Sequence, residues 1–185
     1  MRSPVRADLG HRCAQRARLK APLTTLAVVA SLLVAPGHAA SLEDISTLEQ
    51  LVNGAGVVTV VADDCPPSHA GFYELDARGQ HRLVLCRNGV DLADLEAVWE
   101  VMAHEGTHVM QACTGSAALQ DTQIPRTLRE LRSLAPHYAK LLDEGYHPRD
   151  QRLEAEAFWM ELQAPDQVIA LFERNCAGWL RREAP

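Results

Sequence analysis

The sequence lacks an uninterrupted apolar run long enough to cross a bilayer. Its most apolar stretch, residues 21–37, contains Pro22 and Pro36 and falls short of the ~20 apolar residues that a membrane-spanning helix needs. A segment with six basic residues and one acidic residue precedes this stretch, and the small residues of HAAS follow it. Because this order is typical of a secretory signal, we expect a signal peptide over residues 1–39 and a secreted or periplasmic protein. Cleavage is expected after Ala39 or the next residue, and an uncleaved anchor is the alternative.

The expected mature chain, residues 40–185, has little positive charge. The whole sequence contains 18 basic and 24 acidic residues, and removal of the leader leaves 12 basic and 23 acidic residues, a net charge of −11. We therefore expect neither nucleic acid nor an anionic membrane surface as a partner. A chain of this length fits one domain.

Closely paired cysteines of the CxxC type are also absent, which argues against a zinc site made of thiolates. Four cysteines remain after loss of the leader, and an even number in an exported protein predicts two disulfides. Three pairings are possible among Cys65, Cys86, Cys113 and Cys176. The pairs Cys65–Cys86 and Cys113–Cys176 are favoured, because the first flanks a hairpin-like segment and the second can join two helices.

The first half of the mature chain has the patterns of one helix and a small sheet. Residues 41–56 are amphipathic, with Ser41 as a plausible N-cap and Asp44 at the capping-box position. Strand patterns follow at 57–62, 72–76 and 81–86, and the last two are expected to form a β-hairpin.

The second half is helical in pattern. A helix capped by Asp91 or Asn88 is expected to run to about Cys113 and to stop at Thr114–Gly115. Further helices are expected over 125–146 with a break at Pro136, over 149–164, and from Pro165 to residue 180. The predicted fold class is α+β, mostly helical, with a small hairpin or sheet before the longest helix.

Three ionisable residues interrupt the apolar segment VMAHEGTHVMQAC. His104, Glu105 and His108 form the pattern H-E-x-x-H. On a helix the two histidines lie one turn apart on one side and can reach a single tetrahedral Zn²⁺, while the glutamate is offset by about 100°. That offset suits a general base beside the metal. The alternative to a zinc site is that the two histidines lie in the core and make ordinary hydrogen bonds.

A third ligand is available in the segment RLEAEAFWM. Glu154 and Glu156 lie among apolar residues, where a carboxylate is costly unless it is paired or binds a metal. Residues two apart on a helix point in nearly opposite directions, so only one of them can be a ligand. Two histidines and one carboxylate, with the fourth position left to water, are typical of catalytic zinc sites. The alternative is that both glutamates lie on a solvent-exposed face of the helix.

The segments AHEGTHVMQAC and LEAEAFWM together resemble the gluzincin type of zincin metallopeptidases, in particular small exported bacterial proteins of this type. The resemblance implies a zincin-like fold, Zn²⁺ held by His104 and His108, and Glu105 as the general base that activates water. It implies Glu154 as the third ligand, with Glu156 as the alternative. The additional histidine of the metzincin pattern H-E-x-x-H-x-x-G-x-x-H has no counterpart, which argues against that branch.

The resemblance also implies a peptide or protein substrate, aligned by an edge strand beside the metal helix, for which residues 81–86 are the candidate. The group that stabilises the oxyanion could be any of four residues before Glu154, namely His137, Tyr138, Tyr146 and His147. The expected function is that of an exported zinc-dependent peptidase. The alternatives are a zinc hydrolase with another substrate and a non-catalytic, zinc-stabilised, disulfide-bonded binding module. In the binding module a fourth protein ligand such as Glu156 or His147 would close the metal site.

Overall fold

The computed structural model describes residues 39–67 and 69–181, which form an α+β fold that is mostly helical, as predicted. The expected signal peptide lies outside the described residues, apart from Ala39. Among the helices of the described ranges, none has the length and apolar character needed to cross a membrane.

Helix α1 (Leu42–Gly54) begins as predicted. The Ser41 side chain accepts a hydrogen bond from the Asp44 backbone N–H, and the Asp44 carboxylate accepts one from the Ser41 backbone N–H. This capping box satisfies two N–H groups that a helix start leaves without partners. The buried face of α1, which includes Leu48 and Val52, packs on the longest helix, α2 (Leu95–Thr114).

Three strands form one sheet: β1 (Val58–Ala62), β2 (Gly71–Leu75) and β3 (His81–Cys86). The order is β1-β3-β2, with β3 parallel to β1 and antiparallel to β2, so the predicted hairpin is confirmed. The prediction that residues 81–86 supply an edge strand is wrong, because β3 is hydrogen-bonded on both sides. The edge strand that contacts the long helix is β2.

Helix α2 (Leu95–Thr114) lies at the centre of the molecule, in contact with α1, α5, α6, β2 and β3. Its N-cap is Asp94, so the predicted caps Asp91 and Asn88 are wrong. The Asp94 side chain accepts from two backbone N–H groups of the first turn, whereas the Asp91 side chain accepts from Ala93 in the turn before the helix. Asn88 instead donates to the carbonyl of Cys65. The helix ends at Thr114, and its C-cap is Gly115, whose φ of 68° is left-handed, as the predicted stop requires.

The remaining helices are α3 (Ile124–Leu134), α4 (Pro136–Gly145), α5 (Gln151–Glu161), α6 (Pro165–Asn175) and α7 (Ala177–Leu180). The predicted break at Pro136 and the predicted start at Pro165 are confirmed. The last segment, predicted as one helix, is interrupted at Cys176.

Both predicted disulfides are confirmed. Cys65–Cys86 joins the loop after β1 to the end of β3, and Cys113–Cys176 joins the end of α2 to the junction of α6 and α7. The second bond fixes one end of the central helix. A smaller apolar cluster of Leu131, Leu142, Ala155 and Phe158 holds α3, α4 and α5 together beside it.

Candidate metal centre

The central helix carries His104, Glu105 and His108 in its most buried part. The exposed fractions of the three residues are only 2%, 2% and 6%. Glu154, on α5, is fully buried and faces them. The packing of α5 on α2 therefore brings together two imidazoles and two carboxylates in the core.

The ligand atoms have spacings that suit one metal ion. Nε2 of His104 lies 3.6 Å from Oε2 of Glu154, and Nε2 of His108 lies 3.7 Å from Oε1 of Glu154. One ligand atom from each of these three residues lies within 4.8 Å of the other two. Ligand atoms around a tetrahedral zinc ion are about 3.3–3.5 Å apart. His104, His108 and Glu154 could therefore hold a metal ion.

The hydrogen bonds at the far side of each imidazole ring orient its metal-facing nitrogen. Nδ1 of His104 lies 2.5 Å from Oε1 of Glu161, and Nδ1 of His108 lies 2.8 Å from Oε1 of Gln111. The amide oxygen of Gln111 and an ionised Glu161 can only accept, so with these partners each Nδ1 carries the proton and each Nε2 presents a lone pair. The two lone pairs converge with the carboxylate of Glu154, which is the electronic arrangement that a cation requires.

The buried carboxylates carry an electrostatic cost that a cation would offset. Burial raises the pKa of Glu154 to about 8, although a hydrogen bond from the Tyr146 hydroxyl opposes the change. Burial raises the pKa of Glu105 well above its usual range, and the charge of Glu154 raises it further. Burial likewise raises the pKa of Glu161, which is opposed by a hydrogen bond from Tyr138. A divalent ion among these groups would favour their ionised forms.

The carboxylate of Glu105 is held by the edge strand β2. The backbone N–H of Tyr73 donates a hydrogen bond to it. Gly71 permits this approach, because a Cβ at that position would lie 2.5 Å from Cγ1 of Val101 and 2.7 Å from the carbonyl oxygen of Val84. The base suggested by the sequence is thus next to the ligand group, at the contact between α2 and β2.

The four residues considered for oxyanion stabilisation have different positions. Tyr146 donates to Glu154, and Tyr138 donates to Glu161. His137 packs on the ring of Tyr138, and Nδ1 of His147 accepts from the backbone N–H of Arg149. Of these four contacts, the hydrogen bond from Tyr146 is the one that reaches a residue of the ligand group.

Glu156, the alternative third ligand, points away from the two histidines. One of its oxygens accepts from the backbone N–H of Ala118 at 2.8 Å and from the side-chain amide of Gln111 at 3.2 Å. Its other oxygen lies 3.7 Å from Nε of Arg152. Of the two glutamates in LEAEAF, the structure brings Glu154 and not Glu156 to the histidines.

Sequence reasoning missed Glu161 and Gln111. Glu161 lies seven residues after Glu154, two helical turns on, so a carboxylate spacing of seven on α5 was a usable signal. Gln111 lies three residues after His108 on the same face of α2, and that spacing also could have indicated a contact.

The chain was compared with protein-family models, with curated proteins and with solved structures, and no match was found in any of the three.

Proposed function

We propose that this protein is an exported zinc-dependent peptidase. The observation that carries the proposal is the position of the Glu105 carboxylate beside a buried group of two imidazoles and one carboxylate. Three protein ligands of these types, with a carboxylate base next to them, suit metal-assisted hydrolysis. The two disulfides support a location in an oxidising compartment.

Zinc is the metal that best suits the donor set. Imidazole nitrogen is a ligand of intermediate softness, and two imidazoles with one carboxylate are a common zinc set. When bound, zinc would lower the pKa of a water molecule to about 7 and polarise a carbonyl group. His104 and His108 would bind through Nε2, and Glu154 would complete the set of protein ligands.

Glu105 would act as the proton carrier. Burial raises its pKa above the usual range, so the carboxyl takes up a proton more readily than an exposed glutamate does. It would take a proton from the attacking water and deliver it to the leaving amine. The hydrogen bond from the Tyr73 N–H would keep one side of the carboxylate in place during both transfers.

The outer edge of β2 is the surface that best suits an extended peptide. β2 is paired only with β3 in the sheet, and it contacts the helix that carries the ligands. A substrate strand added along β2 would lie next to Glu105. Tyr146 would be the candidate hydroxyl for stabilising the oxyanion, because it already contacts Glu154.

A second function is favoured by the burial of the site. His104, Glu105 and Glu154 have exposed fractions of 2%, 2% and 0%. A metal ion held so deeply could serve folding alone, in a non-catalytic, disulfide-bonded binding module. Such structural sites take four protein ligands.

The test compares three forms of the purified mature protein, each loaded with zinc: wild type, Glu105→Gln and Glu49→Gln. Glu49 lies on the exposed side of α1 and serves as the control. Casein and a broad peptide library are the substrates, and bound zinc is measured in the same samples. We expect cleavage by wild type and Glu49→Gln, and a loss of at least about 10²-fold in kcat for Glu105→Gln with its zinc retained. Zinc in the wild type without cleavage of any peptide would favour the binding module.

A further inference from the structure

We propose that Gln111 and Glu156 form a relay that sets the tautomer of His108 and so prepares Nε2 for the metal. The relay rests on the proposed metal site, but it concerns residues that are neither ligand nor base. Gln111 contacts His108 directly, and Glu156 acts through Gln111.

The orientation of the Gln111 amide follows from its neighbours. One end of the amide faces two acceptors, the carbonyl oxygen of Leu153 at 3.0 Å and Oε2 of Glu156 at 3.2 Å. Only the NH₂ end can donate to both. The oxygen end therefore faces Nδ1 of His108, at 2.8 Å.

This orientation selects one form of the imidazole. Because the amide oxygen can only accept, Nδ1 of His108 must carry a proton. A neutral imidazole carries a single proton, and this contact places it on Nδ1. Nε2 then presents its lone pair towards Glu154, 3.7 Å away. A reversed amide would favour the opposite tautomer, which cannot bind metal through Nε2 without a proton shift.

Glu156 is fixed independently of Gln111. The oxygen that accepts from Gln111 also accepts from the backbone N–H of Ala118, at 2.8 Å. Its other oxygen is 3.7 Å from Nε of Arg152, which lies one turn earlier on α5. The carboxylate thus connects the loop after α2 to α5 while it holds the NH₂ end of Gln111.

The two histidines are therefore oriented in different ways. His104 is held directly by the carboxylate of Glu161, whereas His108 is held by a neutral amide that a carboxylate orients in turn. Partners of this kind, which contact a ligand but not the metal, typically change metal affinity 10–100-fold when they are removed.

The first experiment measures the His108 tautomer by ¹⁵N NMR in the metal-free protein at neutral pH. We expect the Nδ1–H form in wild type and a shift towards the Nε2–H form in Gln111→Leu and Glu156→Leu. Glu156→Gln keeps an acceptor oxygen and should retain the wild-type tautomer. Thr107→Val is the matched control, because the buried Thr107 hydroxyl donates its hydrogen bond to the carbonyl of Ala103 on its own helix.

The second experiment measures the zinc dissociation constant of the same variants by competition with a chelator. It should rise about 10–100-fold for Gln111→Leu and stay at the wild-type value for Thr107→Val. Wild-type His108 in the Nε2–H form would overturn the relay, and this result needs no variant to fold. An unchanged tautomer and dissociation constant in Gln111→Leu would overturn it equally. Failure of the wild type to bind zinc would refute the proposed function, while the tautomer measurement would still decide the relay.

Discussion

The carboxylate of Glu161 contacts the imidazole of His104, with Oε1 at 2.5 Å from Nδ1. Glu161 is the last residue of α5, and Glu154 lies two turns earlier on the same helix. One helix thus supplies both a candidate ligand and the group that orients another candidate ligand. The mutual position of α2 and α5 consequently determines the geometry of the whole centre.

Removal of the Glu161 carboxylate should weaken metal binding. In Glu161→Ala the imidazole of His104 loses the acceptor that fixes its orientation and its tautomer, so we expect the zinc dissociation constant to rise about 10–100-fold. Glu161→Gln retains an acceptor oxygen, so its zinc dissociation constant should rise less than that of Glu161→Ala. Glu173→Ala, on an exposed part of α6, is the control for loss of one carboxylate. Equal affinity in Glu161→Ala and wild type would show that the contact does not support the site.

The metal-free protein should lose stability as the pH rises. Burial raises the pKa of Glu154 to about 8 in the folded protein, against 4.5 for an ordinary glutamate. The stabilisation from its protonated form is complete below about pH 4.5 and is lost as pH rises through about 8. We use the range from about pH 7 to about pH 9, where the lowered pKa of His108 favours its neutral form. The raised pKa values of Glu105 and Glu161 act in the same direction as that of Glu154, and the variant Glu154→Gln separates its contribution from theirs.

The measurement is the Tm of chelator-treated protein across that range. We expect Tm to fall with pH in the wild type and to change less in Glu154→Gln. Added zinc should reduce the decline in the wild type, since the metal binds the ionised carboxylate. A Tm that rises with pH in metal-free wild type but not in Glu154→Gln would contradict the assigned pKa direction.

The two disulfides should contribute unequally to stability. Cys113–Cys176 closes a sequence separation of 63 residues and Cys65–Cys86 one of 21. The chain-entropy relation gives about 4 kcal/mol for the longer loop and about 3 kcal/mol for the shorter. Urea unfolding of the two double Cys→Ala variants should therefore show the larger loss for the pair at positions 113 and 176. The reverse order would mean that effects in the native state outweigh loop length.

Gly71 should be intolerant of a side chain. A Cβ there would lie 2.5 Å from Val101 Cγ1 and 2.7 Å from a backbone oxygen of β3, so Gly71→Ala must push β2 away from α2. We expect a loss of roughly 1–3 kcal/mol in the free energy of unfolding. The displacement would also move the Tyr73 N–H from Glu105, so the proposed peptidase activity should fall further than stability alone explains. Gly178→Ala, which meets nothing within 4 Å, should be close to neutral and serves as control.

Local sequence patterns carried most of the information about single elements. The capping box at Ser41 and Asp44, the break at Pro136 and the stop at Gly115 depend on neighbouring residues, and the structure has them as predicted. The start of α2 was misplaced because several turn-forming Asx residues precede it, and only the backbone geometry shows that Asp94 caps the helix.

Features that depend on long-range packing could not be predicted in the same way. The choice between Glu154 and Glu156 requires knowing which face of α5 meets α2, and the pattern LEAEAF is apolar on both sides of each glutamate. The central position of β3 depends on its parallel pairing with β1, a long-range contact that hairpin signals do not contain. The contact between Glu161 and His104 joins residues 57 positions apart.

The most direct test of the central claim is the identity of the atoms that surround zinc in the metal-loaded protein. A crystal structure, supported by X-ray absorption spectroscopy, would identify the ligands within about 2.0–2.3 Å of the metal. We predict Nε2 of His104, Nε2 of His108, one carboxylate oxygen of Glu154 and one solvent oxygen. A fourth protein ligand in place of the solvent oxygen, or zinc bound without Glu154, would contradict the account.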